Sequence, residues 1–106
     1  MSELALTCVE EGMRFSRVRA TVLAADSANA RTPGFRAQDV AMDPTVSPAG
    51  LRFAARLQDA PAKGTVGVLE FSMAAQGQNA VRYHALAEQE RAMLHELRTV
   101  AEEARR

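Results

Sequence analysis

Apolar and polar positions alternate with a period of two along much of this chain and take up a helical period only near its end. Leu4, Leu6 and Cys8 alternate with Glu3, Ala5, Thr7 and Val9, predicting a short strand or tied-down arm over 3–9 before Glu10-Glu11-Gly12 breaks it. Val18, Ala20, Val22 and Ala24 share one parity, predicting a strand over 18–25. Asp26 to Gly34 reads as a loop ending in Pro33-Gly34, and Phe35 to Met42 as the returning strand of a hairpin. Asp43-Pro44-Thr45 opens a second loop. Beyond it, Leu51, Phe53, Ala55 and Leu57 lie on one face of a strand over 50–57, with Arg52 and Arg56 on the other. After a loop from Gln58 to Gly64, Thr65 to Met73 is the strongest strand pattern: β-branched, aromatic and preceded by glycine. Its phase slips at 68–69, which predicts a bulge or burial of both faces. Gln76-Gly77-Gln78-Asn79 reads as a turn and Ala80 to Ala85 as a last strand.

From Leu86 to Arg106 the chain has no Gly or Pro and is filled with strong helix formers. Met93, Leu97, Val100 and Ala104 recur at steps of four and three, with Leu86 and Leu94 on the same side, and Glu102 stands correctly for a pair with Arg106. The predicted fold is therefore mainly β: a small antiparallel barrel or rolled sheet of about six strands carrying a C-terminal α-helix. The whole is one domain, with an N-terminal arm over 1–19, the barrel over 20–85 and the helix over 86–106. Leu86, Glu90, Met93, Leu97, Val100 and Ala104 also fit a heptad seam, flawed by the charge of Glu90, so the helix either covers the sheet or joins a second copy in a homo-oligomer.

Composition narrows the field of functions. Thirteen Lys plus Arg balance thirteen Asp plus Glu over 106 residues, so no overall field favours DNA, RNA or an anionic membrane. Scarce aromatics give single-stranded RNA little to stack on. No apolar run approaches the ~20 residues of a bilayer span, so no membrane insertion is expected. Met1-Ser2-Glu3-Leu4 lacks the basic and apolar regions of a signal peptide, and the single cysteine, Cys8, excludes an internal disulfide; a cytoplasmic location is expected.

Candidate chemistry is concentrated in two places. Arg14, Arg17 and Arg19 form a basic cluster, read either as a phosphate-binding arm or as a solvated segment pairing with Glu10, Glu11 and the acidic C-terminal helix. Thr45-Val46-Ser47-Pro48-Ala49-Gly50 is a polar turn in which the Ser47 hydroxyl reaches nearby backbone and Gly50 is free to take a positive φ. Arg52, just beyond it, is either a ligand contact or a charge guarding a sheet edge. His84 and His95 have no ligand set around them, so no metal is expected. Without a nucleophile elbow, phosphate loop or supported Cys/His or Ser/His pair, the chain is not expected to be an enzyme, and no cofactor is expected.

With this layout, the chain resembles the PilZ domain family, bacterial receptors of cyclic dimeric GMP. The resemblance rests on Arg14-Phe15-Ser16-Arg17-Val18-Arg19 as the basic arm and Val46-Ser47-Pro48-Ala49-Gly50-Leu51 as the turn. Gly64-Thr65-Val66-Gly67-Val68-Leu69-Glu70-Phe71, then Val81-Arg82-Tyr83-His84-Ala85-Leu86, stand for the following strands, and Gln89-Glu90-Arg91 opens the helix. It implies a PilZ-like β-barrel, cyclic dimeric GMP as ligand, and Arg14, Arg17, Arg19, Ser47, Gly50 and Arg52 as ligand-binding residues. A signalling role relayed through protein contacts is implied with them. Met13 stands where the arm has its first arginine and Thr45 where the turn has Asp or Asn. The alternative is therefore a PilZ-like adaptor that binds a protein partner and no nucleotide.

Overall fold

The computed structural model describes residues 3–106; Met1 and Ser2, the first residues of the expected arm, lie outside the described residues. Helix α1 spans Glu3–Asn29, strand β1 Gln38–Ser47, strand β2 Gly50–Asp59 and helix α2 Gly64–Ala104. The expected six-stranded barrel is not what forms. The sheet has two antiparallel strands and is not closed, and most described residues are helical. The segments 3–9, 18–25, 65–73 and 80–85, read as strands, are all helix, as is the supposed turn at 76–79. The returning strand predicted over 35–42 starts at Gln38, runs on through Asp43-Pro44-Thr45, and pairs with β2 rather than with 18–25. The strand over 50–57 and the helix over 86–106 are present, the latter as the second half of α2.

The physical reason lies in what the two helices bury. On α2, Val68, Ser72, Ala75 and Asn79 are buried at steps of four, three and four, which is one stripe of a helix. Only one of the four is a large apolar residue, so hydrophobicity alone does not register the period. On α1, Val9, Met13, Ser16 and Leu23 follow the same spacing. The helices are antiparallel and joined by a polar ladder. Asn79 Nδ2 donates to the Ser16 carbonyl at 2.8 Å, Gln76 Nε2 to Ser27 Oγ at 2.9 Å, and the Ser27 and Ser72 hydroxyls meet at 2.7 Å. Small residues let the axes approach. At Gly12 an added Cβ would lie 3.1 Å from Leu86 Cδ1.

The hairpin lies along a second face of α1. Its register sets Val40 opposite Leu57, Pro44 opposite Phe53 and Ser47 opposite Gly50 around the Pro48-Ala49 turn. In a two-residue hairpin the closing pair is hydrogen-bonded and pairs then alternate, so Pro44 and Phe53 form a pair whose amides face outward. Proline is tolerated at Pro44 because no ladder bond is lost there. The outward N–H of Val40 on the same edge is satisfied by Asp39 Oδ1 at 2.7 Å. At the hairpin base, Ala30, Ala37 and Val68 form a small apolar cluster with Phe35, Ala60, Ala62 and Leu69 around it.

The molecule is long. Its extents are 65 × 28 × 15 Å and its radius of gyration is 17.8 Å, against about 13 Å for a compact chain of this size. At 27 and 41 residues, α1 and α2 measure about 40 and 60 Å. With Gly12 beside Leu86, antiparallel pairing brings Glu3 level with about His95, so the last turns of α2 run beyond the described part of α1.

Candidate functional site

The residues expected to bind a ligand are dispersed along α1 and the hairpin. Three of the four arginines are engaged with carboxylates. Arg14 Nε bonds Glu11 Oε2 at 2.6 Å, one helical turn away, and its Nη2 donates to the Phe53 carbonyl. Arg52 Nε lies 3.5 Å from Glu11 Oε1. The Glu11 carboxylate also accepts the Phe53 N–H. Glu11 and Arg14 thus satisfy both outward backbone groups of Phe53 and close the free edge of β2 as a neighbouring strand would. The Arg14 hydrogen bond holds the Glu11 carboxyl below the usual range against the effect of burial, helped by the charges of Arg14 and Arg52.

Arg19 is pinned at the other end of the hairpin by Asp39, Nε to Oδ1 at 2.9 Å and Nη2 to Oδ2 at 3.0 Å. Burial by itself would raise the Asp39 carboxyl; the Arg19 fork and the Val40 N–H outweigh it and hold it low. Next to it, Asp26 is 1% exposed and accepts the Gln38 N–H on Oδ1 at 2.9 Å, while Oδ2 has no partner among the described residues. Burial raises the Asp26 carboxyl above its usual range and the charge of Asp39 adds to this, with the Gln38 N–H opposing.

Ser47 and Gly50 form the hairpin tip, as the turn chemistry implies. Ser47 Oγ accepts the Ala49 N–H at 3.2 Å, and Gly50 takes φ +118°. The cleft beside them is lined by Glu3, Leu4, Thr7, Ala49 and Leu51, with no arginine. Arg14, Arg17 and Arg19 do not converge on this turn.

Arg17 is different. Among the described residues it has no carboxylate partner, and its Nη1 lies 3.5 Å from the Tyr83 hydroxyl across the α1–α2 seam. Between them is a groove of about 310 Å³ lined by Ser16, Ala20, Gln76, Asn79, Ala80 and His84. Asn79 and Tyr83 were not legible as site residues under a strand-and-turn reading. The spacing of Ser72, Gln76, Asn79 and Tyr83, at four, three and four, was the available signal once polar residues are allowed to line a helical seam.

Among the described residues no group of His, Cys, Asp and Glu is arranged to hold a metal. No described helix is long and apolar enough to cross a membrane. No protein-family model matches the chain, and no curated protein matches it significantly.

Proposed function

We propose that this chain is a structural adaptor that docks on a helical protein partner through the last turns of α2. One observation carries the reading: the stripe that α2 buries against α1 continues as apolar residues to the end of α2, where its side chains are exposed. Leu94, Leu97 and Val100 are 45%, 44% and 58% exposed. At 100° per residue, Met93, Leu94, Leu97, Val100, Ala101 and Ala104 fall within one apolar arc. Glu96 and Glu103 border it on one side and Arg91, Arg98 and Arg105 on the other. An apolar arc between two flanks of opposite charge is the pattern by which helices choose partner and direction. The mate is an apolar-striped helix with its flanks reversed. A second copy aligned in parallel meets that description, because the acidic flank of each then faces the basic flank of the other.

The test is a photo-crosslinking residue at position 97 of the full-length chain in its native cells. Discrete adducts of higher mass are expected, an adduct of twice the chain mass among them if the mate is a second copy. They disappear when Leu94 and Val100 are both replaced by Glu. Recovery of the free chain alone would overturn the reading. Cyclic dimeric GMP is the second probe: at ~100 µM a micromolar binder stabilises by about 2.7 kcal/mol, and an adaptor of this kind shows no such gain.

A further inference from the structure

The groove between α1 and α2 has the parts of a small-molecule site. Its volume of about 310 Å³ stands at the lower end of the ~300–1,000 Å³ usual for ligand pockets. Two of its side chains are nearly inaccessible and incompletely paired. Asn79 is 5% exposed; its Nδ2 is spent on the Ser16 carbonyl, which only accepts, so its other amide atom is the acceptor Oδ1, and Oδ1 has no partner among the described residues. Ser16 is 1% exposed and its Oγ is likewise unpaired. Leaving such groups unpaired in a low-dielectric seam is costly, so they favour a guest that supplies a donor.

The upper wall supplies the opposite chemistry. Arg17 is the one cation among Arg14, Arg17, Arg19 and Arg52 without a carboxylate partner, and the Tyr83 hydroxyl lies 3.5 Å from it. Two donors at that separation suit the two oxygens of one carboxylate. Ala20 and Ala80 keep the walls small and apolar.

We propose that this groove binds a small carboxylate carrying an adjacent N–H donor, as in an N-acylated amino acid or the last residue of a peptide. The carboxylate sits on Arg17 and the Tyr83 hydroxyl, the amide N–H donates to Asn79 Oδ1, and a methyl-sized side chain meets Ala20 and Ala80. This site is separate from the apolar arc at the end of α2 and does not depend on it.

Full-length ¹⁵N-labelled protein titrated with N-acetyl-L-alanine tests the assignment. Saturable shifts are expected at the Asn79 side-chain amide and the Arg17 Nε–H. Arg17 is exposed, so Arg17→Gln leaves the fold intact; it is expected to weaken binding about tenfold or more. N-acetyl-L-alaninamide, which lacks the carboxylate, is expected to give no saturable shift. The tripeptide Gly-Gly-Ala separates the two sources: tighter binding than N-acetyl-L-alanine assigns the site to a chain terminus, equal or weaker binding to a free small molecule. Absence of saturation at 20 mM ligand, or equal affinity in Arg17→Gln or for the amide, would overturn the proposal.

Discussion

Arg19 and Asp39 meet as a two-pronged fork, at 2.9 and 3.0 Å, with both side chains 14% exposed. This pair ties the hairpin base to α1, beside the bond from the Gln38 N–H to Asp26. A bidentate pair in a mostly dry setting is worth more than a surface ion pair, because few waters compete and two donors share one plane. Arg19→Met leaves Asp39 without its counter-charge and is expected to cost about 2 kcal/mol in urea denaturation. Arg19→Lys keeps the charge and loses the fork, for about half that. The Asp39 carboxyl is held below its ordinary range. Its stabilisation is therefore present above the unfolded-state value and lost as pH falls through the lower folded value. Asp39→Asn should flatten the fall in stability below about pH 4; an unchanged slope there would assign it to other carboxylates.

Asp26 behaves in the opposite sense. Its carboxyl is raised by burial, so its contribution is fully present below the unfolded-state value and lost as pH rises through the folded one. Asp26→Asn keeps an acceptor for the Gln38 N–H and removes the charge. It should be close to neutral at acid pH and stabilising by about 1 kcal/mol at pH 7, read as a difference between two denaturation curves. Equal effects at both pH values would mean that Asp26 does not titrate in the predicted direction.

Two glycines should respond to alanine with opposite signs. Gly77 lies within α2, exposed, with nothing within 4 Å of an added Cβ. Gly77→Ala is expected to stabilise by about 0.5–1 kcal/mol through helix propensity. Gly50 also has open space around it but sits at φ +118°, a region that side chains disfavour. Gly50→Ala is expected to cost about 1 kcal/mol. Thermal unfolding of the two variants side by side separates conformation from packing.

The polar seam predicts an asymmetry in size. Ser72 is fully buried beneath α1, and Ser27 keeps its bond from Gln76 when the Ser72 hydroxyl is removed. Ser72→Ala should cost less than about 1 kcal/mol. Ser72→Leu must push the helices apart, and about 3 kcal/mol is expected. If leucine were tolerated as well as alanine, the close approach at Gly12 and Ser72 would not be what sets the helix spacing.

The parts of this molecule that could be read in the chain are those with local causes. The turn at Ser47–Gly50 follows from a hydroxyl that bonds its own backbone and a residue free to take positive φ, and β2 follows from the alternation of Leu51, Phe53, Ala55 and Leu57. The helix from Leu86 onward follows from propensity and a stripe of large apolar residues. The same reading failed at Val18–Ala25 and Thr65–Met73, where a period of two in small and β-branched residues imitated a strand.

Those segments are helical because each has a buried face, Leu23 in one and Val68 and Ser72 in the other, and the same faces continue beyond them through Ser16, Ala75, Gln76 and Asn79. Their fit depends on shape and on hydrogen bonds to a chain segment dozens of positions away, which no hydrophobic period records. The candidate site divides in the same way. Arg14, Arg17, Arg19 and Arg52 could be picked out as cations, but whether each is free or engaged depends on where Glu11, Asp39 and Tyr83 are brought. Propensity and turn chemistry act between neighbours and are written in the chain. Helix pairing and charge neutralisation act across space, and only the tertiary structure decided them.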